Sequence, residues 1–282
     1  MSIFNTPKIR TLISLALDED GTRGDLTSET LIPETDVCEA EIIAKQGGVF
    51  CGGPLAGLIF SEMRSPVRVE LLTQEGERVQ PKKVIAKFYG STRDILRAER
   101  VILNFWGRLS GISTLTSTYV DCVQDTQTKI LDTRKTTPVF RELEKYAVRM
   151  GGGTNHRMGL DDAILIKENH LERCGGVKKA LETAKSHIGP HRKIEVEVKD
   201  LEELKVVLLE GCDIVMLDNF STSKIEEAIA LREKMNSSVL VEVSGGITLN
   251  RLPELSQVGV DYISVGALTH SASCFDFSLL IN

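Results

Sequence analysis

The sequence predicts an α/β protein in which an N-terminal α+β unit precedes a longer region of alternating strands and helices. Short apolar runs recur from Lys129 onwards at intervals of about 20 to 30 residues, and helical patterns separate most of them. Such alternation is typical of parallel strands joined by crossover helices, in a doubly wound sheet or in a βα barrel. Polar residues end nearly every run, which favours the barrel because barrel enzymes build their active sites at that rim.

Length and composition exclude several classes of protein. The chain has 282 residues, of which 41% are hydrophobic and 26% charged, and its 34 basic and 40 acidic residues give a net charge of −6. These values are ordinary for a globular protein and exclude a disordered, collagen-like or coiled-coil chain. The acidic balance argues against a nucleic-acid partner or an anionic membrane.

The N-terminus and the cysteines predict a reducing compartment. Arg10 and Asp18 interrupt any apolar segment of a signal peptide, and no run of about 20 apolar residues could span a membrane. The six cysteines include no CxxC pair, so neither a zinc knuckle nor a disulfide framework is expected. We therefore expect a cytoplasmic protein with free thiols.

The N-terminal unit begins with a helix, since Thr6 can cap it and Pro7 suits its first position. A long helical pattern over Thr92–Thr118 ends this unit and bridges to the next one, with Gly107 and Gly111 as candidate bends. Alternating apolar residues and flanking glycines predict strands between these two helices, at 40–44, 67–72 and 84–88.

The second region supplies the predicted barrel. Its apolar runs predict six strands, at Lys129–Asp132, Ala163–Lys167, Ile194–Val198, Ile214–Asp218, Val239–Ser244 and Tyr262–Gly266. Helical periodicity predicts helices between them, at Val139–Met150, Val177–His187, Leu201–Glu210 and Lys224–Met235. A seventh strand is expected near Asn155–Arg157.

Positive charge is concentrated in residues 133–160, with six Lys or Arg against two Glu in a chain that is acidic overall. Arg134 and Lys135 directly follow one predicted strand. His156 and Arg157 follow a glycine triplet, and Lys167 ends a further strand. Because three rim positions deliver cations to one place, an anion site is predicted there. Arginine offers a planar fork for carboxylate or phosphate, and lysine a point charge.

Other residues of this segment have simpler interpretations. Arg141, Lys145 and Arg149 repeat at four-residue spacing and are assigned mainly to the exposed face of a helix. Gly151–Gly153 can supply a helix C-cap, although three glycines in a row also suggest close approach of the backbone to a ligand. A lone histidine is more often structural, so His156 gains its weight from the arginine beside it.

A second group of candidates is acidic. In KIEVEV, residues 193–198, Glu195 and Glu197 alternate with apolar residues, so one strand face is apolar and the other carries two carboxylates. One of these is expected to be a salt-bridge partner in the core or at the rim. Asp218 ends the next strand. Carboxylates on neighbouring strand ends can bind a divalent metal, accept ribose hydroxyls or stabilise a cationic sugar.

The last two predicted strands end in glycine-rich turns, at Ser244–Gly246 and at Gly266. At this place in a βα barrel, such turns commonly cradle phosphate through backbone N–H groups. Together with the cations and carboxylates, they predict a negatively charged pair of substrates, one carrying a phosphate on a sugar. The Mg²⁺-bound diphosphate of an activated ribose would suit this set.

The ordered motifs DTRKTTP, GGGTNHRMGL, DAILIKENH, EVEV, MLDNF, SGGI and ISVGALTHSA resemble the quinolinate phosphoribosyltransferase family, the carboxylating nicotinate-nucleotide pyrophosphorylases. GTRGDLTSETLIP and ERVILNFWGRLSGIST extend the resemblance over nearly the whole chain. The resemblance implies an N-terminal α+β sandwich domain with the bridging helix (1–115) and an incomplete, seven-stranded α/β barrel (116–270). A C-terminal segment (271–282) would pack back on the N-terminal domain.

The resemblance also implies an activity, that of a pentosyltransferase of NAD biosynthesis. Such an enzyme converts quinolinate and phosphoribosyl diphosphate into nicotinate mononucleotide, CO₂ and diphosphate, with Mg²⁺ as the cofactor and no organic cofactor. It would be a homodimer or a hexamer whose sites are shared between subunits.

By their positions in these motifs, two groups of residues are implied for the site. Those that would hold quinolinate are Arg134, His156, Arg157 and Lys167, with Arg100 contributed by the partner subunit. Those on the phosphoribosyl diphosphate side would be Lys135, Glu197, Asp218, Ser244, Gly245, Gly246, Gly266 and His270. The catalytic set would be Lys135, Lys167, Glu197 and Asp218, and the two carboxylates would hold the metal.

Two positions depart from the family pattern. Val139-Phe140 stands where many members carry Gly-Leu, and Glu168 stands where an Asp often precedes Asn-His. Both positions lie in loops or behind the site, so we expect them to affect kinetics rather than function.

Two alternatives stay open. A relative that acts on nicotinate, or on the unknown substrate of a molybdate-transport operon, would keep the enzyme class, although the paired cations favour a dicarboxylate. A binding protein on an inactive scaffold would require losses among the charged site residues. All six of these are present: Arg134, Lys135, Arg157, Lys167, Glu197 and Asp218.

Overall fold

A computed structural model describes residues 3–21, 24–189 and 191–281. Thr22 and Arg23 of the GTRGDLTSETLIP motif, and Asn282 of the predicted C-terminal segment, lie outside the described residues. The chain divides into two compact units. The first comprises Met1–Ser117, Glu142–Gly152 and Ser271–Asn282, and the second comprises Thr118–Arg141 and Gly153–His270.

The predicted helices and strands form close to their predicted bounds, and several short elements are added. The helices are α1 (Pro7–Gly21), α2 (Leu26–Leu31), α3 (Pro54–Glu62), α4 (Thr92–Asp121), α5 (Arg141–Met150), α6 (Glu168–Cys174), α7 (Val177–His187), α8 (Leu201–Glu210), α9 (Thr222–Met235), α10 (Leu252–Gln257) and α11 (Ala267–His270). The strands are β1 (Val37–Ala44), β2 (Gly48–Val49), β3 (Arg68–Leu71), β4 (Arg78–Val79), β5 (Val84–Ser91), β6 (Lys129–Leu131), β7 (Ile164–Ile166), β8 (Ile194–Val198), β9 (Ile214–Asp218), β10 (Leu240–Ser244), β11 (Tyr262–Ser264) and β12 (Phe277–Ile281). Among the described residues, no helix combines the length and the apolar character needed to cross a membrane.

The first unit is built on a four-stranded antiparallel sheet in the order β12-β1-β5-β3. Strand β12 pairs with β1, so that Ala40 faces Ile281 and Ala44 faces Phe277. The last strand of the chain therefore lies beside the first strand of the same sheet. The fully buried Trp106 of α4 packs edge-on against Phe50 and Phe277, with ring centroids 5.1 and 6.1 Å away.

Gly107 and Gly111 of α4, which the sequence suggested as bends, are required for close packing. A Cβ atom on Gly107 would lie 2.8 Å from the carbonyl oxygen of Phe275. A Cβ atom on Gly111 would lie 2.0 Å from that of Ser273. The C-terminal segment crosses α4 at these two positions because they carry no side chain.

The second unit contains a six-stranded parallel sheet in the order β6-β11-β10-β9-β8-β7. The expected seventh strand near Asn155–Arg157 does not form, and Thr154 makes one isolated parallel bridge to Leu131. The backbone N–H of His156 donates to the carboxylate of the distant Asp132 at 2.9 Å instead of to a neighbouring strand. Among the described residues, the parallel sheet of the incomplete barrel therefore has six strands, with the Thr154 bridge beside its first strand.

Side chains alternate across the strands of this sheet. In β8, Ile194, Val196 and Val198 are buried on one face, while Glu195 and Glu197 line cavities on the other. The predicted division of this strand into an apolar and an acidic face is therefore confirmed. Residues near both edges of the sheet line one of these cavities, so the sheet curves around it.

One stretch that the sequence assigned to the barrel, Glu142–Gly152, belongs to the first unit. Within it, Glu144 accepts two hydrogen bonds from the Arg108 guanidinium, at 2.6 and 3.0 Å. The predicted exposed helix face was wrong for Lys145, which is fully buried, whereas Arg149 is exposed. Charge spacing alone could not reveal that this part of α5 packs within the first unit.

Candidate active site

A cavity of about 760 Å³ lies at the carboxyl ends of the strands in the second unit. Its walls contain twelve of the thirteen residues that the sequence assigned to the site. They are Arg134, Lys135, His156, Arg157, Lys167, Glu197, Asp218, Ser244, Gly245, Gly246, Gly266 and His270. The thirteenth, Arg100, is exposed on α4 of the first unit and does not line this cavity.

The loop after β6 holds Arg134 and Lys135 by hydrogen bonds at its backbone. Thr269 Oγ1 donates to the Lys135 carbonyl at 2.8 Å, and the Lys135 N–H donates to Thr133 Oγ1 at 3.0 Å. The Arg141 guanidinium donates to the Arg134 carbonyl at 3.2 Å. Arg141, which the sequence left outside the site, therefore braces the loop without lining the cavity.

Asp132, which is fully buried just after β6, holds the backbone of the His156–Arg157 pair by hydrogen bonds. The Asp132 carboxylate accepts from Asn155 Nδ2 at 2.5 Å and from the His156 N–H at 2.9 Å. The Arg157 guanidinium donates to the Ala163 carbonyl at 2.9 Å. Burial, and then the neighbouring positive charge of Arg134, lower the pKa of Arg157 from its ordinary value. A bound anion would relieve both effects.

Lys167 and Glu197 form an ion pair at the ends of the neighbouring strands β7 and β8. Lys167 Nζ lies 2.7 Å from Glu197 Oε2, and the two side chains are 48% and 17% exposed. At the end of β9, the Asp218 carboxylate accepts a hydrogen bond from Asn219 Nδ2 at 2.6 Å. The charged side chains of the wall number four cations and two carboxylates, so the cavity is electropositive overall.

The two glycine-rich turns are required by packing within the protein. Gly245 has φ of +92°, and a Cβ atom there would lie 2.1 Å from Asn219 Oδ1. At Gly266, a Cβ atom would lie 3.1 Å from Lys135 Cδ and 3.2 Å from His270 Nε2. Glycine at these two positions lets Asn219, Lys135 and His270 approach the cavity wall.

Two glycines of the triplet, Gly151 and Gly152, have a structural role. A Cβ atom on Gly151 would lie 2.4 Å from the Ser113 carbonyl oxygen and 2.6 Å from Thr116 Cβ. Gly152 has φ of +88°, which ends helix α5 in the left-handed region. These two glycines therefore allow α5 to end closely packed against α4.

A second, smaller cavity of about 290 Å³ lies beside the first and shares His156 and Arg157 with it. In its wall, His156 Nε2 lies 3.2 Å from Glu195 Oε2 and 3.6 Å from Glu242 Oε1. Burial and the neighbouring Glu195 raise the pKa of Glu242 to about 8. The sequence pattern marked Glu195 and Glu197 as two carboxylates on one strand face, one of them an expected salt-bridge partner, and it gave Glu242 no role. The signal available was the matching acidic alternation of VEVS and IEVEV.

The metal-binding capacity of the two sets of carboxylates differs. Within the described part of the chain, the only group of three clustered candidate ligands is His156, Glu195 and Glu242, whose ligand atoms lie within 4.8 Å of one another. Glu197 and Asp218 offer two carboxylates on adjacent strand ends, at the edge of the larger cavity. Such a pair suits Mg²⁺, which typically takes one or two carboxylates and completes its shell with water and substrate phosphates.

The chain resembles one family over nearly its whole length. Residues 25–110 match the family described as quinolinate phosphoribosyl transferase, N-terminal domain. Residues 112–280 match the corresponding C-terminal domain. The chain is 42% identical to the probable carboxylating nicotinate-nucleotide pyrophosphorylase of Bacillus subtilis (strain 168), over 98% of this chain and 94% of that protein.

Two further relatives have similar coverage. A mitochondrial, decarboxylating quinolinate phosphoribosyltransferase of Nicotiana tabacum is 38% identical, over 98% of this chain and 83% of that protein. The solved structure of the nicotinate-nucleotide pyrophosphorylase from Francisella tularensis superimposes with a TM-score of 0.93 at 39% identity. That superposition covers 100% of this chain and 99% of the other.

Proposed function

The chain belongs to the quinolinate phosphoribosyltransferase family, and from that premise we propose that it is a carboxylating nicotinate-nucleotide pyrophosphorylase of NAD biosynthesis. It transfers the phosphoribosyl group of phosphoribosyl diphosphate to the ring nitrogen of quinolinate. The products are nicotinate mononucleotide, CO₂ and diphosphate.

The observation that carries this proposal is the charge of the larger cavity. Four cationic side chains and two carboxylates line one space of about 760 Å³. A dicarboxylate and a sugar diphosphate together need several cations and few anions. The two carboxylates that are present suit a metal ion or a sugar that becomes cationic.

On the quinolinate side, we assign Arg134, Arg157 and Lys167 to the two substrate carboxylates, with His156 beside them. The lowered pKa of Arg157 supports an anion at this position, because the side chain is partly buried next to a second arginine. We further propose that Arg100 of a second copy completes this set. Its exposure on α4 is compatible with that role.

On the phosphoribosyl diphosphate side, we assign Lys135 and His270 to the phosphates. Ser244, Gly245, Gly246 and Gly266 would offer them the backbone of the two turns. Glu197 and Asp218 would hold Mg²⁺, which neutralises charge on the diphosphate. The contact of Glu197 with Lys167 supports a position for this carboxylate between the two proposed substrate sides.

The chemistry follows from these positions. The pyridine nitrogen attacks the anomeric carbon as the bond to diphosphate breaks, and Lys135 stabilises the negative charge of the leaving group. The sugar passes through an oxocarbenium-like state, which the Glu197 and Asp218 carboxylates stabilise. N-ribosylation makes the ring cationic. That charge stabilises the carbanion left at C2 when CO₂ departs, and the carbanion then takes up a proton.

The test is an assay of the purified protein with quinolinate, phosphoribosyl diphosphate and Mg²⁺, following the loss of quinolinate and the release of CO₂. We expect turnover that depends on all three components. A parallel reaction with nicotinate distinguishes the carboxylating enzyme from a nicotinate transferase. A well-folded protein that leaves quinolinate unchanged would overturn the proposal.

Assembly and location belong to the same proposal. We propose a homodimer, or a hexamer of three dimers, because a site completed by Arg100 requires a second copy. We also propose that the protein is located in the cytoplasm. Native mass spectrometry checks the assembly, and fractionation of the source cells checks the location.

A further inference from the structure

We propose that Glu195 and Glu242 are positioning residues, which hold the His156 ring from the smaller cavity and thereby fix Arg157 for the quinolinate carboxylate. The inference rests on the proposed function for its kinetic test. Its spectroscopic test is independent of that function.

The hydrogen bonds of His156 define its ring state. The backbone N–H of Arg157 donates to His156 Nδ1 at 2.7 Å, so Nδ1 is an acceptor and carries no proton. The ring proton then resides on Nε2. Nε2 lies 3.2 Å from Glu195 Oε2, and the two side chains are 12% and 6% exposed. The neutral ring therefore donates its one N–H into the buried carboxylates.

The two carboxylates come from different strands and meet inside the curve of the sheet. Glu195 lies on β8 and Glu242 on β10, with β9 between them. Both residues are buried, at 4% and 0% exposure. Ser264 Oγ donates to Glu242 Oε1. Glu195 Oε1 and Glu242 Oε2 receive no hydrogen bond from any further group among the described residues, and the two carboxyl groups are themselves within hydrogen-bonding contact. Two buried carboxyl groups in contact are energetically costly, so we expect them to serve another residue or a ligand.

The carboxylate pair can affect the substrate through the His156 ring. Rotation of this imidazole would break two hydrogen bonds together: the one that Nδ1 accepts from the Arg157 N–H and the one that Nε2 donates to Glu195. Arg157 lines the larger cavity, and its guanidinium donates to the Ala163 carbonyl. The orientation of Arg157 thus depends on the ring, and the orientation of the ring depends on Glu195 and Glu242.

A metal ion is the competing occupant, since the three residues could supply its ligands. Metal binding at Nε2 needs an unprotonated nitrogen there, and a neutral ring would then carry its proton on Nδ1. The bond from the Arg157 N–H to Nδ1 is incompatible with that tautomer. The geometry therefore favours a ring held by carboxylates over a metal centre.

Two variants of Glu195 separate the roles of shape and charge. Glu195→Gln keeps an oxygen that can accept from His156, and its amide can donate to Glu242. Glu195→Met fills the same volume without an acceptor. We expect the KM for quinolinate to rise about tenfold in Glu195→Met and to stay within about threefold of wild type in Glu195→Gln. In both variants, the KM for phosphoribosyl diphosphate should stay within about twofold.

Asp213→Asn is the matched control. This carboxylate lies just before β9, accepts from the Ile194 N–H at the start of β8 at 2.7 Å, and forms no hydrogen bond or ion pair with His156 in the described part of the chain. Its KM values should equal those of wild type. An equal rise in Glu195→Gln and Glu195→Met would overturn the inference, since charge alone would then matter. An equal change of both KM values would also overturn it, because it would indicate a general structural effect.

The second test reads the ring directly and needs no turnover. Long-range ¹H–¹⁵N spectra of the wild-type protein near neutral pH, assigned with His156→Asn, should show a neutral ring protonated at Nε2. A protonated cationic ring, the Nδ1–H tautomer, or a stoichiometric metal in protein purified without chelators would overturn the proposal. If the wild-type protein fails to convert quinolinate, the proposed function fails, and the ring spectrum still decides whether the carboxylates hold His156.

Discussion

Lys167 Nζ lies 2.7 Å from Glu197 Oε2, so a cation assigned to quinolinate is paired with a carboxylate assigned to the metal and the sugar. The pair joins the ends of β7 and β8, which are adjacent in the sheet. Each partner has a second role proposed for it, and binding of either substrate would compete with the pair. The two halves of the site are therefore electrostatically coupled.

Replacing Lys167 with alanine tests its assignment to substrate. We expect the KM for quinolinate to rise about tenfold or more, because a charge-assisted contact is lost. The melting temperature should hardly change, since a half-exposed ion pair contributes about 0–1 kcal/mol. Steady-state kinetics and thermal melting check both results. Lys199→Ala, which removes another exposed lysine paired with a glutamate, is the control. A large loss of melting temperature with an unchanged KM would instead assign Lys167 a structural role.

Quinolinate should bind more tightly than nicotinate. The missing carboxylate of nicotinate leaves one cation of the Arg134, Arg157 and Lys167 set without its partner, at a cost of about 1–3 kcal/mol. Isothermal titration calorimetry with each acid measures the difference. Equal dissociation constants would show that these cations do not recognise two carboxylates.

Glu242 makes stability depend on pH in a defined direction. Burial and then Glu195 raise the pKa of its carboxyl from 4.5 to about 8, so between these values the folded protein keeps a proton that the unfolded chain has lost. The free energy of unfolding should therefore fall as pH rises through this window. Glu242→Gln should flatten that fall and raise the melting temperature at pH 8. Glu254→Gln, at an exposed position, should leave the slope unchanged. A slope that persists in Glu242→Gln would assign the effect to other groups.

Val139 is a strained residue, and its replacement by glycine should stabilise the protein. Its φ is +62°, a region that β-branched residues rarely occupy, and its side chain is 64% exposed. Relief of strain of about 1–3 kcal/mol outweighs the entropy cost of about 0.5–1 kcal/mol for glycine. We expect Val139→Gly to raise the urea midpoint and Val139→Ala to have a smaller effect. Lower stability in Val139→Gly would show that contacts of the valine compensate for its backbone.

The rim of the site was predictable from the sequence because its signals are local. A strand that ends in a charged residue places that residue at the rim, whatever the order of the strands. Lys167, Glu197 and Asp218 were identified in this way, and each lines the cavity. Arg134 and Lys135 needed only the end of one strand and the turn that follows it.

The network beneath the rim was not predictable in the same way. Glu195 and Glu242 meet because β8 and β10 flank β9 in a curved sheet, and the pattern of one strand does not reveal its neighbours. The same reason explains Lys145, whose burial depends on how α5 packs within the first unit. The missing seventh strand also has a non-local cause, since Asp132 takes the hydrogen bond of the His156 N–H.

Arg100 provides the last prediction, because its proposed role requires two copies of the chain. If it serves the partner's site, an Arg100→Ala subunit and a Lys167→Ala subunit each have little activity alone at quinolinate concentrations well below the KM of either variant. Under the same conditions they complement each other when mixed. One site of a mixed dimer then carries both substitutions and the other carries neither. Random mixing makes half of the dimers mixed, each with one intact site of two, so activity should recover to roughly a quarter of wild type.

The mixing needs a denaturation and refolding step, so that the subunits exchange, and native mass spectrometry of mass-labelled subunits confirms the mixed dimers. Wild-type protein taken through the same step sets the scale for recovered activity. Two samples of one variant, mixed in the same way, provide the background. If Arg100 completes its partner's site, each mixed dimer has one intact site and must show activity. Confirmed mixed dimers with no activity above this background would therefore show that Arg100 does not complete that site.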